Sequence, residues 1–174
     1  MGCVILLNFR KKILVLNSKH MEIQYNWKTK LFSKRFDIYQ HEMLKGELFK
    51  ENWSRKVNGE LNIRRIMFET KGLFKHETSI IDLQGEMPIG SIKYSNWKAR
   101  STIFYQNKEY RWQFDNFLRS KWSVSDENGA IIRYHSNAFT GMIMSYTRDE
   151  ILILTGFFIR NFLKQRTAEV AAAT

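Results

Sequence analysis

The feature that most restricts the fold of this chain is an apolar run near its C-terminus, residues 151–159, which reads ILILTGFFI. At helical spacing these side chains cover the whole circumference of a helix, and before Arg160 no polar stripe marks a solvent-exposed face. A helix of this kind is stable only where other parts of the chain surround it. The central question of the fold is therefore what encloses this segment.

The residues before this run carry a helix-start signal. Residues 147–150 read TRDE and match the capping-box pattern, which predicts Thr147 as the N-cap and Glu150 at position N3. The helix is expected to end at about Gln165 or Arg166, which gives roughly 19 residues and a length of about 28 Å. Residues 167–174 are predicted to form a flexible tail.

From Met21 onward, large apolar residues recur at every second position in short segments, which is typical of half-buried strands. This pattern predicts roughly eleven or twelve short strands. The predicted inward-facing residues are Ile23, Tyr25, Trp27 and Leu31; Phe36 and Ile38; Leu44 and Leu48; Leu61 and Ile63; Ile66 and Phe68; Met87 and Ile89; Tyr110, Trp112 and Phe114; Trp122 and Val124; and Ala130, Ile132 and Tyr134.

Turn signals lie between these segments. Asn58-Gly59 and Asn128-Gly129 are pairs suited to type I′ hairpins, and residues 82–85 and 106–108 are predicted to be slightly longer loops. No low-complexity linker or internal repeat divides the chain. The sequence therefore predicts one domain over residues 21–166. Residues 1–20 are predicted to be an N-terminal extension that is disordered or lies at a membrane surface.

Barrel geometry relates the strands to the helix. An eight-stranded barrel is filled by its own side chains, whereas a barrel that admits a helix about 10 Å wide needs on the order of eleven or twelve strands. A strand of seven or eight residues spans about 25 Å, which is close to the helix length. We therefore predict a mainly β fold, a closed antiparallel β-barrel of about 11–12 strands around a buried hydrophobic C-terminal helix. The alternative is an open sheet or sandwich with the helix on one side.

The charge balance indicates the class of partner. The chain carries 28 Lys and Arg against 17 Asp and Glu, a formal net charge of +11. A field of this sign attracts phospholipid headgroups, RNA or DNA. The apolar run is nine residues long before Arg160, and a membrane-spanning helix needs about 20. No transmembrane span is predicted.

No motif for catalysis or metal binding is present in the sequence. The four histidines, His20, His41, His76 and His135, have no neighbour at metal-ligand spacing. Ser145 lacks the flanking glycines of a nucleophile elbow, and there is no Gly-rich phosphate loop. We expect a protein without catalytic residues, without a metal and without a cofactor.

Two basic clusters are the candidate ligand-binding residues. Each flanks a predicted turn, and together they could bind phosphate through charge and bidentate Arg contacts if the fold brings them close. Their alternative role is a solvated surface of a basic protein. The first cluster is Lys28, Lys30, Lys34 and Arg35, and the second is Lys93, Lys98 and Arg100.

Several segments resemble the tubby-like superfamily, which includes the phospholipid scramblases and the LURP-one-related proteins. Residues 78–86 (TSIIDLQGE) followed by 89–92 (IGSI), and residues 122–129 (WSVSDENG), are similar to that group's units of strand, Asp-x-x-Gly turn and strand. The Arg-Asp-Glu of residues 148–150 before an apolar helix is similar too. The resemblance covers about residues 21–166. It implies a barrel around a central helix and a lipid-facing or membrane-associated module.

The chain also departs from that family. Scramblases carry an acidic calcium-binding segment and a cysteine-rich palmitoylated stretch, and this sequence, with the single Cys3, has neither. Calcium dependence and lipid scrambling are therefore not expected. The lone cysteine is compatible with a reducing compartment, and we expect a cytoplasmic protein that is peripheral on the inner face of the membrane.

Three classes of function follow. The resemblance and the charge favour a non-enzymatic module that binds anionic phospholipid headgroups or membrane surfaces. One alternative is a basic β protein that binds single-stranded nucleic acid. A further alternative is a small-molecule carrier or a hydrolase with a pocket at the barrel mouth, and a helix that fills the bore is expected to leave no cavity for a carried ligand.

Overall fold

The structure is a computed structural model, and it describes residues 22–31, 33–50, 55–71, 77–95 and 100–172, without the side chains of residues 169 and 170. Twelve strands precede one helix in these ranges. The predicted extension of residues 1–20 and Lys98 of the second basic cluster lie outside them. The elements are β1 (Ile23–Thr29), β2 (Arg35–Gln40), β3 (Met43–Lys50), β4 (Lys56–Leu61), β5 (Arg64–Lys71), β6 (Glu77–Asp82), β7 (Met87–Tyr94), β8 (Arg100–Tyr105), β9 (Lys108–Phe114), β10 (Lys121–Asp126), β11 (Gly129–Ser136), β12 (Thr140–Ser145) and α1 (Glu150–Ala172).

The strands form a closed antiparallel barrel. Each strand pairs with its neighbour in sequence, and β12 pairs with β1 to close the ring, from Ile23 opposite Ser145 to Lys28 opposite Thr140. The predicted fold class is confirmed, and the alternative of an open sheet is wrong. Closure satisfies the backbone groups that an edge strand would leave unpaired.

The first half of α1 fills the barrel. Residues 151–160 are all buried although they point in every direction around the helix, as the apolar circumference requires. Two indole N–H groups, from Trp112 and Trp122, donate to the carbonyl oxygen of Gly156 at 2.9 and 3.1 Å. The hydroxyl of Tyr134 donates to the carbonyl oxygen of Ile153 at 2.9 Å. Polar atoms of the interior side chains thus hold the helix at a fixed depth.

The two ends of the helix differ from the prediction. Asp149 is the N-cap rather than Thr147, because its Oδ1 accepts from the backbone N–H of Leu152 at 3.0 Å and the helix begins at Glu150. Thr147 acts one step earlier, accepting from the N–H of Asp149 at 3.2 Å. The helix continues to Ala172, well past the predicted end at Gln165 or Arg166. The segment predicted to be a flexible tail contains strong helix formers and no Gly or Pro to stop the helix.

Four residues predicted to face inward are exposed: Leu31, Leu44, Ile63 and Met87. Leu31 follows the end of β1, Met87 is the first residue of β7, and Ile63 lies in the β4–β5 turn. A bulge between Ile38 and Tyr39 shifts the pairing with β3, so Leu44 pairs with Tyr39 and points outward.

The predicted turns have mixed outcomes. Asn58-Gly59 is no turn, because both residues lie inside β4; the chain instead reverses at Asn62 and Ile63, where Asn62 has a φ of 53°. The loop predicted at residues 82–85 is confirmed at Leu83–Glu86, between β6 and β7. Gln106 and Asn107 form a two-residue turn with φ of 51° and 58°, as a type I′ hairpin requires.

The barrel has two distinct ends because its strands alternate in direction. At the entry end, where α1 begins, lie the connections β2–β3, β4–β5, β6–β7, β8–β9 and β10–β11. At the exit end, where α1 leaves the barrel, lie the connections β1–β2, β3–β4, β5–β6, β7–β8, β9–β10 and β11–β12.

Candidate functional site

A groove opens at the exit end between the second half of α1 and the rim of the barrel. Its volume is about 720 Å³, within the range of small-molecule sites. The apolar part of its lining is formed by rim and helix side chains, chiefly Phe36, Leu48, Val57, Phe158 and Phe162. The expectation that a filled bore leaves no cavity is therefore wrong: the helix fills the barrel, and the cavity lies where the helix leaves it.

The charged side chains that line this groove all carry the same sign. Seven are Lys or Arg, and none of the described residues around the groove is Asp or Glu. A recess with apolar walls and charges of one sign concentrates the field and attracts counter-ions. The seven, called here the exit-end cations, are Lys30, Lys34, Lys50, Arg55, Arg160, Lys164 and Arg166.

Arg160 is the most buried of the exit-end cations, with 8% of its surface exposed. Its guanidinium lies over the indole rings of Trp27 and Trp122, at 5.8 and 5.2 Å from the ring centroids. It donates to Ser136 Oγ and to Asn161 Oδ1, both at 3.0 Å. Within the described part of the chain no carboxylate forms an ion pair with it.

Burial lowers the pKa of Arg160 from its ordinary value. Arginine nevertheless stays protonated in proteins, so a charge is held in the wall of the groove with neutral partners and two indole faces. A buried charge without an opposite charge is costly. An anion in the groove would offset that cost.

Lys164 lies one helical turn beyond Arg160 and also lines the groove. Its pKa is lowered, first by burial and then by the positive charge of Arg160. The repulsion between Arg160 and Lys164, like the burial of Arg160, favours binding of an anion in the groove, because an anion placed between the two cations would stabilise both.

The structure places the predicted site residues in different surroundings. Lys30 and Lys34 line the groove. Lys28 lies outside it, with its Nζ 5.3 Å from the centroid of the Tyr39 ring. Arg35 is exposed and pairs with Asp37 at 3.0 Å and with Glu47.

The second predicted cluster does not join the first in the groove. Lys93 on β7 lies over the ring of Phe104 at 5.0 Å, and Arg100 is an exposed residue that begins β8. Lys98 lies outside the described residues. The condition for a joint phosphate site, that the two clusters lie close together, is not met in the groove, because neither Lys93 nor Arg100 lines it.

Five of the exit-end cations were missed from the sequence: Lys50, Arg55, Arg160, Lys164 and Arg166. Arg160 and Lys164 are four residues apart, so helical spacing already places them on one face of α1. What the sequence did not indicate is that this face turns toward the ends of β1 to β5. That relation depends on the depth of the helix in the barrel.

Among the described residues, no group of three or more His, Cys, Asp or Glu side chains could hold a metal ion.

The single helix of the described residues is not apolar over a sufficient length to cross a membrane.

Comparison of the chain with protein-family models, with curated proteins and with solved structures found no match.

Proposed function

We propose that this protein is a non-enzymatic module that binds anionic phospholipid headgroups at a membrane surface through the exit-end groove. The observation that carries the proposal is a recess of about 720 Å³ with seven cations, an apolar lining and no carboxylate among its described residues. A phospholipid anion combines the two matching properties, since its phosphate meets the cations and its hydrocarbon meets the apolar walls. We place the module in the cytoplasm, peripheral on the inner face of the membrane, where anionic lipids attract cationic surfaces.

The distribution of charge between the two ends supports an end-on orientation. The entry end carries both signs of charge: the acidic residues Glu42, Glu86, Glu127, Asp149 and Glu150, and the cations Arg64, Lys108 and Arg148. The exit end carries the seven exit-end cations. Because the groove lining at the exit end is cationic and the entry end carries both signs, this distribution favours the exit end facing an anionic bilayer.

Kinship with the tubby-like superfamily is part of the same proposal. It is supported by the order of elements, twelve antiparallel strands in a closed barrel followed by a helix in its interior, which is the architecture that the resemblance implied. Lipid binding does not depend on this kinship, because it rests on the groove.

The arrangement of aromatic residues favours lipid over single-stranded nucleic acid. Proteins that bind single strands present aromatic faces on which bases stack. Here Trp27, Trp112 and Trp122 are fully buried in the barrel interior. The described indoles are therefore not accessible to a base, and the exposed Phe, Tyr or Trp rings among the described residues are two, Phe117 and Phe139, on separate connections.

Sedimentation with vesicles tests the proposal. The wild type is expected to bind phosphatidylcholine vesicles that contain about 20% anionic phospholipid, to bind pure phosphatidylcholine weakly, and to lose affinity as salt is raised. The double variant Lys50→Gln/Lys164→Gln removes two groove charges. At about 1 kcal/mol for each cation near an anionic surface, its affinity is expected to fall by about 30-fold.

The matched control is Arg64→Gln/Lys108→Gln, which removes two exposed charges at the entry end. It changes net charge equally and is expected to retain most of the affinity. Equal losses in both double variants would mean that net charge alone attracts the protein, and the groove would have no part in binding. Indifference to anionic lipid together with tight binding of a single-stranded oligonucleotide would favour the nucleic-acid alternative.

A further inference from the structure

The β9–β10 connection at the exit end presents two adjacent apolar side chains to solvent. Phe117 is 98% exposed and Leu118 is 80% exposed, and neither is among the residues that line the groove. Single exposed apolar residues are common on protein surfaces. Two large neighbours that are exposed this fully at the tip of one loop indicate a contact surface.

The loop is held in a defined shape by hydrogen bonds of Asn116. Its Oδ1 accepts from the backbone N–H groups of Ser120 and Lys121 at 3.0 and 2.9 Å, and its Nδ2 donates to Ser120 Oγ at 2.8 Å. The backbone N–H of Asp115 also donates to the carbonyl oxygen of Lys121 at 2.9 Å. These bonds close the base of the loop and leave Phe117 and Leu118 at its tip. The two side chains are exposed in an ordered conformation.

Cations flank this apolar tip. Arg119 follows Leu118 with a φ of 54°, and its guanidinium lies over the ring of Phe114 at 5.6 Å. Lys121 is exposed at the start of β10. The neighbouring carboxylate of Asp115 accepts a hydrogen bond from Ser123 Oγ at 2.8 Å. A loop with apolar residues at its tip and cations beside them suits the boundary of a bilayer, because the apolar residues can enter the acyl region while the cations stay among the anionic headgroups.

Other connections of the exit end also carry exposed apolar side chains. Leu31 in the β1–β2 connection is 65% exposed, and Phe139 in the β11–β12 connection is 44% exposed. Exposed apolar residues on several connections around one end of a barrel can contact the flat surface of a bilayer together, whereas a protein partner is better matched by one contiguous apolar patch. Exposed apolar residues also occur at the entry end, where Met43, Leu44, Ile63 and Met87 are 55–77% exposed, less than Phe117 and Leu118. Glu42 precedes Met43 and Glu86 precedes Met87, whereas Arg64 follows Ile63.

We propose that Phe117 and Leu118 form an anchor that inserts into the acyl region of an anionic bilayer, while Arg119 and Lys121 contact lipid phosphates. The inference rests on the proposed function and adds a second, hydrophobic point of attachment to the groove. It also specifies the partner as an assembled bilayer, because an isolated soluble headgroup offers nothing for the anchor to enter.

The experiment compares Phe117→Ala/Leu118→Ala with Ile63→Ala/Met87→Ala, a control that truncates two exposed apolar residues at the entry end. On vesicles containing about 20% anionic lipid, the anchor variant is expected to lose at least about tenfold in affinity, and the control less than about twofold. Both variants should unfold at the wild-type temperature, because all four side chains are exposed. Titration with inorganic phosphate should be unchanged in the anchor variant, because the groove is intact.

Depth of insertion gives an independent readout. In Phe117→Trp, the added fluorescence over wild type is expected to be quenched by phospholipids brominated on their acyl chains and not by aqueous iodide once vesicles are bound. If the anchor variant binds vesicles as the wild type does, or the indole introduced by Phe117→Trp stays open to iodide, the anchor is overturned while the groove proposal stands. A change in self-association with unchanged vesicle binding would assign the loop to a second copy of the chain. Failure of the wild type to bind anionic vesicles would overturn both proposals.

Discussion

Gly156 lies where α1 packs closely against the barrel, and replacing it with alanine tests the enclosure of the helix directly. A Cβ at this position would lie 2.7 Å from Val124 Cγ2 and 2.8 Å from Tyr134 Cζ, and closer still to the Tyr134 hydroxyl. The tyrosine has little freedom to move. Its ring stacks on Trp122 with centroids 5.1 Å apart, and its hydroxyl donates to the carbonyl oxygen of Ile153.

The expected magnitude combines three effects. Glycine to alanine inside a helix stabilises by about 1 kcal/mol when space is available. Overpacking a core costs about 1 to 3 kcal/mol, and displacing the Tyr134 hydroxyl from its buried acceptor costs about 1 to 3 kcal/mol more. Gly156→Ala is therefore expected to lower the free energy of unfolding by about 3 kcal/mol.

Urea unfolding followed by circular dichroism and tryptophan fluorescence measures this change. The matched background is Tyr134→Phe, which removes the nearest atom that the new methyl group would meet. In that background Gly156→Ala is expected to cost at least about 1 kcal/mol less, which a double-mutant cycle would report as coupling between the two positions. If Gly156→Ala is neutral or stabilising in the wild-type background, this side of the helix is not enclosed and the packing argument fails.

Two further predictions concern the same helix. Thr155 is fully buried and its hydroxyl donates to the carbonyl oxygen of Ile151 at 2.6 Å. Thr155→Asp is therefore expected to lower the free energy of unfolding by about 3 to 5 kcal/mol, and the control Thr155→Val by about 1 kcal/mol. Near-equal values for the two variants in denaturant unfolding would mean that this position faces water. Burial raises the pKa of Asp149 against the lowering effect of its backbone hydrogen bonds, so its ionisation opposes folding, and its contribution to stability is lost as pH rises through the folded-state pKa. Asp149→Asn, which keeps a capping oxygen, is expected to gain stability over the wild type at neutral pH and to lose that advantage as pH falls toward about 3.9. A difference that stays constant across this pH range would count against the raised pKa.

The fold could be predicted from the sequence because two independent patterns agree. The apolar circumference of residues 151–159 requires an enclosure, and the number of alternating segments matches a barrel wide enough to provide it. Both statements concern which residues avoid water, and burial is the strongest signal that a sequence carries. The packing of Trp27, Trp112 and Trp122 inside the barrel follows from the same alternation.

Local boundaries were harder to predict because competing signals have similar energies. Asn58-Gly59 has the best hairpin chemistry near its position, yet it lies inside β4, where a Cβ added to Gly59 would meet Leu48, Ile66 and Leu154 at van der Waals distances. A methyl group would fit at this position, and a small residue there accommodates Leu154 of the helix without forming a turn. Thr147 and Asp149 are both good N-caps, and the choice between them depends on where β12 ends.

The groove could be predicted only in part. Lys30 and Lys34 were found because they flank a turn, and turns gather at the ends of a barrel. Arg160 and Lys164 lie on the helix and were not among the predicted site residues. Whether they line the groove depends on which part of α1 lies inside the barrel and which part extends beyond it. That boundary is set by contacts such as those of the Gly156 carbonyl oxygen with two indoles, which no local pattern reveals.

The place of α1 after all twelve strands has a consequence for biosynthesis. Consecutive strands pair as hairpins, so most of the sheet can assemble from short-range contacts while translation continues. The helix that the strands enclose leaves the ribosome after all of them. β12, the strand that closes the barrel by pairing with β1, leaves it just before the helix. Until α1 and β12 have emerged, the nascent sheet exposes its apolar inner face and has two unpaired edge strands. Such an intermediate is prone to aggregation and is a substrate for chaperones.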